Sequence, residues 1–233
     1  MPKHIPLILL PGLLCDRALW QHQIVALGAI AVAQVADTTQ QDNIDAIAGD
    51  VLAKAPPQFA LAGLSMGGYV ALEIMRQAPE RVLKLCLLDT SARADTPEQK
   101  ERRRLLLAMA QQGHFKGVTP RLLPMLIHPD RIADKELTGV ITAMAERMGR
   151  DAFKNQQTAI MNRADSRPTL KNITCPVQVI GGMQDALTPP DIVHEIADGI
   201  KGAKLDMIDA CGHLSPLEQP EQVNNLMGRW LAA

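Results

Sequence analysis

Aromatic side chains are scarce: three Phe, two Trp and one Tyr make up 3% of 233 residues. Proteins that hold single-stranded nucleic acid stack bases on aromatic platforms, and this chain has too few rings to build one. An excess of either charge is also missing. Lys and Arg number 24 against 25 Asp and Glu, a formal net charge of −1. No global field draws nucleic acid or an anionic membrane to such a surface. Cysteines are few and scattered: Cys15, Cys86, Cys175 and Cys211 form no CxxC pair and have no His at ligand spacing. That pattern argues against a zinc site and a disulfide framework, and free thiols in a reducing compartment are expected. No stretch reaches the ~20 apolar residues of a membrane span. The run Ile5–Leu10 contains Pro6, is short for a signal-peptide core and precedes no small-residue cleavage site. It reads as a strand, and the cytoplasm is the expected location.

Apolar residues make up 47% and charged residues 21%, the proportions of a globular protein. Short apolar runs alternate with amphipathic segments. Strands are expected at Ile5–Leu10, Ile30–Ala36, Phe59–Gly63, Val82–Asp89, Val177–Gly181 and Leu205–Asp209. Helices fall between them: Asp16 to Leu27 with Gly28 at C′, Ile44–Ala55 stopped by Pro56-Pro57, Gly67–Gln77, Asp191–Ile200 and Pro220–Leu231. Such alternation implies an α/β fold, an open and mostly parallel sheet flanked by helices.

Residues from about 92 to 167 break the rhythm, with no strand candidate among them. Thr96-Pro97-Glu98-Gln99 combines a capping box with Pro at N1 and opens a helix ending near Gly113. A short helix is expected around Lys116–Leu123. Asp130 is read as the cap of a helix running to Met148, stopped by Gly149, and Asp151 as the cap of another reaching Arg163. The chain is therefore expected to be one domain, residues 1–233, with a helical cap inserted into it.

The sharpest chemical signal is Gly63-Leu64-Ser65-Met66-Gly67, followed by Gly68, lying between an apolar strand and an amphipathic helix. G-x-S-x-G in that setting is a nucleophile elbow: a tight turn that raises the serine hydroxyl above the sheet at a helix N-terminus. A serine needs a base. His213, in Ala210-Cys211-Gly212-His213, follows the last strand and so lies at the same sheet edge as Ser65. His4, His22, His114, His128 and His194 precede the first strand or lie in helices and the insertion. The base in turn needs an acid to fix its tautomer. Asp185, on the loop after the preceding strand, gives the order Ser, Asp, His that this fold uses. Asp89 also ends a strand and is the competing acid. The oxyanion site requires two backbone N–H groups. Met66 supplies one, and the Leu10-Pro11-Gly12-Leu13-Leu14 loop the other, through Leu13 first and Leu14 second.

The elbow Gly-Leu-Ser-Met-Gly-Gly, the loop Leu-Leu-Pro-Gly-Leu-Leu-Cys-Asp, the segment Gly-Gly-Met-Gln-Asp-Ala-Leu-Thr-Pro and the tail Cys-Gly-His-Leu-Ser-Pro together resemble the α/β-hydrolase superfamily over essentially the whole chain. They are most similar to its small, cap-bearing bacterial carboxylesterases and lactonases. The resemblance implies a Ser-His-Asp site under a helical lid, with no metal or organic cofactor. Many relatives carry His-Gly where this chain has Pro11-Gly12, so any substrate contact made by that His is absent. The chain begins at what relatives number as the third strand, and a sheet of about six strands is expected.

The expected reaction is hydrolysis of small to medium carboxylic esters or lactones through an acyl-enzyme. The expected partner is that small molecule alone, with no nucleic acid or membrane, in a monomer or homodimer. The alternatives on the same triad are N-acyl-homoserine lactone hydrolysis and a lyase or carbon–carbon bond hydrolase similar to a synthase of menaquinone biosynthesis. A non-catalytic ligand-binding protein is a further alternative. Leu14, Met144 and Met148 are candidate substrate contacts, though methionines at helical spacing equally suit a core between cap helices. Arg102-Arg103-Arg104 suits either an anionic substrate group or a solvated helix face.

Overall fold

The computed structural model describes residues 4–114 and 117–233. Its centre is a sheet of six strands, all parallel, in the order β2-β1-β3-β4-β5-β6. The strands are β1 (Ile5–Leu10), β2 (Ala31–Val35), β3 (Phe59–Leu64), β4 (Val82–Leu88), β5 (Val177–Gly182) and β6 (Lys204–Ile208). Every residue of β3 and β5 is buried. Central parallel strands are covered on both faces, which is why they read as unbroken apolar runs. The edge strand β2 instead alternates, leaving Val32 64% exposed.

Side chains on successive strand residues point to opposite faces. Leu7 and Leu9 of β1 enter one apolar layer with Trp20, Leu27, Met227 and Trp230, from α1 (Gln21–Leu27), the 3-10 turn before it and α10 (Pro220–Ala232). Ile8 and Leu10 enter the other. There they meet α2 (Ile44–Lys54), α3 (Met66–Gln77) and α8 (Pro190–Gly199), through Ile47, Val70, Ile74 and Ile196. Gly28 does end α1, but at φ −59° it is right-handed, so its conformational freedom is not used.

Between β4 and β5 the described residues form helices and turns. Thr96 makes the expected capping box with Gln99 and opens α4 (Pro97–Met109). Next come α5 (Leu123–Leu126), later in the chain than expected, and α6 (Lys135–Asn162). Lys116, where the short helix was expected to begin, lies outside the described residues. Asp134, not Asp130, caps α6: its carboxylate accepts the N–H groups of Glu136 and Leu137. Asp130 falls inside a 3-10 turn, Pro129–Arg131. Gly149 breaks α6 at φ 73°, ψ −176°, a backbone state essentially limited to glycine. Asp151 does not cap the second half; its side chain faces solvent beside Arg150. The segment closes with α7 (Arg167–Leu170). No described helix is long and apolar enough to cross a membrane.

Candidate active site

Ser65 joins β3 to α3 at φ 54°, ψ −115°, a strained backbone for a residue with a Cβ. The neighbouring glycines make the turn feasible. A Cβ at Gly63 would strike the backbone of Gly67, and one at Gly67 would strike the carbonyl of Leu10. The end of β4 and the residues just past it hold the elbow in place. Ser65 N–H donates to the Leu88 carbonyl at 3.0 Å, and Thr90 Oγ1 donates to the Ser65 carbonyl at 2.7 Å.

Three predicted side chains meet above the C-terminal ends of the strands. His213 Nε2 is 2.8 Å from Ser65 Oγ, and His213 Nδ1 is 2.7 Å from Asp185 Oδ2. His213 and Asp185 are each 3% exposed, whereas Ser65 is only partly buried. The other Asp185 oxygen, Oδ1, accepts the N–H groups of Leu187 at 2.8 Å and Thr188 at 3.0 Å. Thr188 Oγ1 donates to Oδ2. An ionised Asp185 has only acceptors to offer, so the Nδ1–H tautomer of His213 fits, leaving Nε2 to accept from Ser65. Burial disfavours charge on both groups, yet each stabilises the other's charged form. The His213 pKa rises above 6.5 and that of Asp185 falls below the usual carboxylate value.

Asp89 has a different task. Wholly buried at φ 44°, its Oδ1 accepts Gly182 N–H at 2.9 Å and its Oδ2 contacts the Ser215 hydroxyl and N–H. It ties the end of β5 to the start of α9 (Ser215–Glu218), two residues past His213. Burial, with the Asp185 charge adding to it, pushes its pKa up to about 8. The structure thus brings Asp185, not Asp89, to the histidine.

The loop after β1 lies against the nucleophile. A Cβ on Gly12 would sit 3.4 Å from Ser65 Cβ. Met66 opens α3, so its N–H has no partner inside the helix. Leu14 N–H donates to Gln156 Oε1 at 3.0 Å and is therefore already engaged. Leu14 is buried with Ala110, Ala145 and Phe153, and Met148 packs on that group. Met144 is wholly buried in the sheet-facing layer with Leu137 and Ile141. Arg103 turns inward to Asp95 and Gln157, Arg104 pairs with Glu101, and Arg102 is exposed. Cys15 and Cys211 are buried thiols; burial lifts the Cys15 pKa to about 12 and that of Cys211 further. Both are therefore poor nucleophiles.

Glu218 was not singled out from sequence. Its buried carboxylate accepts N–H groups from Gly212 and Leu214, on either side of His213, and from His128. His213 N–H itself donates to the Leu126 carbonyl at 3.1 Å. The base loop is thus bonded to the segment inserted between β4 and β5. A glutamate five residues after a histidine carries no signal of that role in one sequence.

Relatives share this architecture. The pimeloyl-[acyl-carrier protein] methyl ester esterase of Neisseria meningitidis serogroup C is 29% identical over 189 residues, covering 78% of this chain and 73% of that protein. The thermophilic esterase of Thermogutta terrifontis superposes with a TM-score of 0.89 at 28% identity, covering 100% of this chain and 91% of that one. The enol-lactonase of Burkholderia xenovorans LB400 also reaches 0.89, covering 99% and 92% of the two chains, and at 22% identity it speaks for the fold alone. A sequence model of the α/β hydrolase family matches residues 7–226. With six parallel strands, an elbow after the third and a match along nearly its whole length, this chain belongs to the α/β hydrolase family.

Proposed function

We propose that the chain is a serine hydrolase of small to medium carboxylic esters or lactones, working through an acyl-enzyme on Ser65. The observation that carries this reading is the unbroken line Ser65 Oγ, His213 Nε2, His213 Nδ1, Asp185 Oδ2, with both contacts under 3 Å. In the first half-reaction Ser65 Oγ attacks the acyl carbon while His213 Nε2 takes its proton. Asp185 holds the Nδ1–H and stabilises the imidazolium. The Leu13 and Met66 N–H groups receive the oxyanion, where removal of one such donor typically costs ~10²–10³ in rate. The alcohol leaves with the proton from Nε2. Water then attacks the acyl-enzyme, with the same nitrogen as base. For a lactone, the leaving alcohol stays attached to the acyl group.

Residues 92–167 serve as the cap over this edge of the sheet. Three contacts support that placement: Leu126 with His213, His128 with Glu218 and Gln156 with Leu14. Leu14 and Met148 then form apolar wall, and Met144 lies behind them. The test is hydrolysis of p-nitrophenyl esters of increasing acyl length, wild type beside Ser65→Ala. Turnover by the wild type and its near-complete loss in the variant are expected. Equal activity in the two would refute Ser65 as nucleophile.

A further inference from the structure

Gln156 lies in the second half of α6, 142 residues from the loop it touches. Its side chain is fully buried and bonded at both ends. Oε1 accepts Leu14 N–H at 3.0 Å, and Nε2 donates to Thr38 Oγ1 at 3.1 Å and toward the Thr38 carbonyl at 3.5 Å. Thr38, beyond β2, is itself buried. The amide orientation is fixed by this pair of contacts. Reversed, its NH2 would face the Leu14 N–H, and its oxygen would face a carbonyl.

The bonded turn has reason to move. Cys15 N–H donates to the Gly12 carbonyl at 3.1 Å, and Leu14, third of the four residues, has φ 58°. That is the arrangement of a type II turn, whose third position suits glycine. Leucine in the left-handed region brings its Cβ close to the following carbonyl oxygen and is strained. Rotating the Leu13–Leu14 peptide would relieve the strain by converting the turn to type I. It would also exchange the Leu14 N–H for the Leu13 carbonyl oxygen in front of Gln156 Oε1, setting one acceptor against another. The glutamine therefore opposes the relaxation that the turn otherwise favours.

This turn carries the Leu13 amide and lies against Ser65 through Gly12. Building on the acyl-enzyme reading above, we propose that Gln156 is a positioning residue for the oxyanion site. It locks the strained Gly12–Cys15 turn and so makes the site's competence depend on the seating of α6.

Stability alone would not test this, because any buried amide contributes to it. The measurement is phosphonylation of Ser65 by a fluorophosphonate, resolved into the limiting rate and the half-saturating concentration. Gln156→Met keeps the length and removes the acceptor. Gln156→Glu, protonated where it is buried, keeps an acceptor for Leu14 and a donor for Thr38. Thr38→Val removes the shorter contact at the other end of the glutamine, leaving only the 3.5 Å approach to the Thr38 carbonyl, and tests the same link if Gln156→Met does not fold. Expected is a limiting rate about tenfold lower in Gln156→Met with little change in half-saturation, short of the full loss of a donor. Gln156→Glu should stay within about threefold of wild type, and Thr38→Val should fall between the two. The pH midpoint of labelling should not move. Wild-type rates in Gln156→Met, or in Thr38→Val where Gln156→Met does not fold, would overturn the proposal. So would equal losses in Gln156→Met and Gln156→Glu. A wild type that fails to label at Ser65 would overturn the acyl-enzyme reading itself, and this inference with it.

Discussion

Replacing Asp185 by Asn tests the proposed catalytic line at its least conspicuous member. The structure dictates how the amide must sit. Oδ1 of Asp185 receives two backbone N–H groups, from Leu187 and Thr188. An amide NH2 there would set donors against donors, so the asparagine oxygen stays at that position. The NH2 then takes the place of Oδ2, facing Thr188 Oγ1 and His213 Nδ1. The hydroxyl can rotate to accept. The imidazole must also accept at Nδ1, which moves its proton to Nε2, directly against Ser65 Oγ. A histidine in that tautomer cannot take the serine proton. The expected loss in kcat/KM is on the order of 10³–10⁴, as for the equivalent change in other Ser-His-Asp enzymes. At 1.36 kcal/mol per decade this is about 4–5.5 kcal/mol of transition-state stabilisation. The assay is p-nitrophenyl ester hydrolysis, with thermal melts to show that the variant is folded. Asp89→Asn is the control and should retain activity within about tenfold: the amide oxygen keeps the Gly182 N–H, the NH2 can donate to the Ser215 hydroxyl while giving up the longer Ser215 N–H contact, and the carboxyl it replaces is bonded to those groups and not to His213. If Asp185→Asn stays within about tenfold of wild type while Asp89→Asn collapses, the reasoning is refuted and Asp89 is the acid.

Two predictions concern pH. His213 must be neutral to act as base; burial lowers its pKa, but the charge and hydrogen bond of Asp185, with Asp89 and Glu218 adding to them, raise it above 6.5. Activity should therefore rise with pH through a midpoint above 6.5 in a kcat/KM profile; a midpoint well below that value would contradict the charge pairing. Asp89 titrates near 8 in the folded protein, so between its unfolded value of 3.8 and about 8 the native state holds the extra proton. Its contribution to stability is largest at acid pH and declines as pH rises through that window. In melting curves from pH 6 to 9, the Tm of Asp89→Asn relative to wild type should climb up to about pH 8 and then level off. A constant difference would mean that Asp89 is ionised throughout.

The meeting of Ser65, His213 and Asp185 was legible because each follows a strand, and strand ends in a parallel sheet share one edge. The capping box at Thr96 and the break at Gly149 were legible because both rest on local backbone chemistry. Other features depend on distant partners. Asp130 reads as an N-cap in the sequence, but the helix starts after Asp134, where two N–H groups meet the Asp134 carboxylate. Gly28 follows its helix but stays right-handed, in a turn that Ile30 N–H closes on the Leu27 carbonyl before β2 begins. Asp89 and Asp185 both follow strands; the sequence favours Asp185 for its place on the loop after the strand that precedes His213, and the structure sets its carboxylate 2.7 Å from His213 Nδ1 while Asp89 bonds Gly182 and Ser215. Gln156 and Glu218 left no trace in the sequence. Their roles lie in backbone N–H groups of Leu14, Gly212, Leu214 and His128, which tertiary packing brings to them.

The most direct test is intact-protein mass spectrometry after exposure to a fluorophosphonate, followed by peptide mapping. One adduct is expected, on the peptide containing Ser65. It should be absent from Ser65→Ala and form far more slowly in His213→Ala. No adduct in the folded wild type, or an adduct at another serine, would contradict the assignment of Ser65 as the nucleophile.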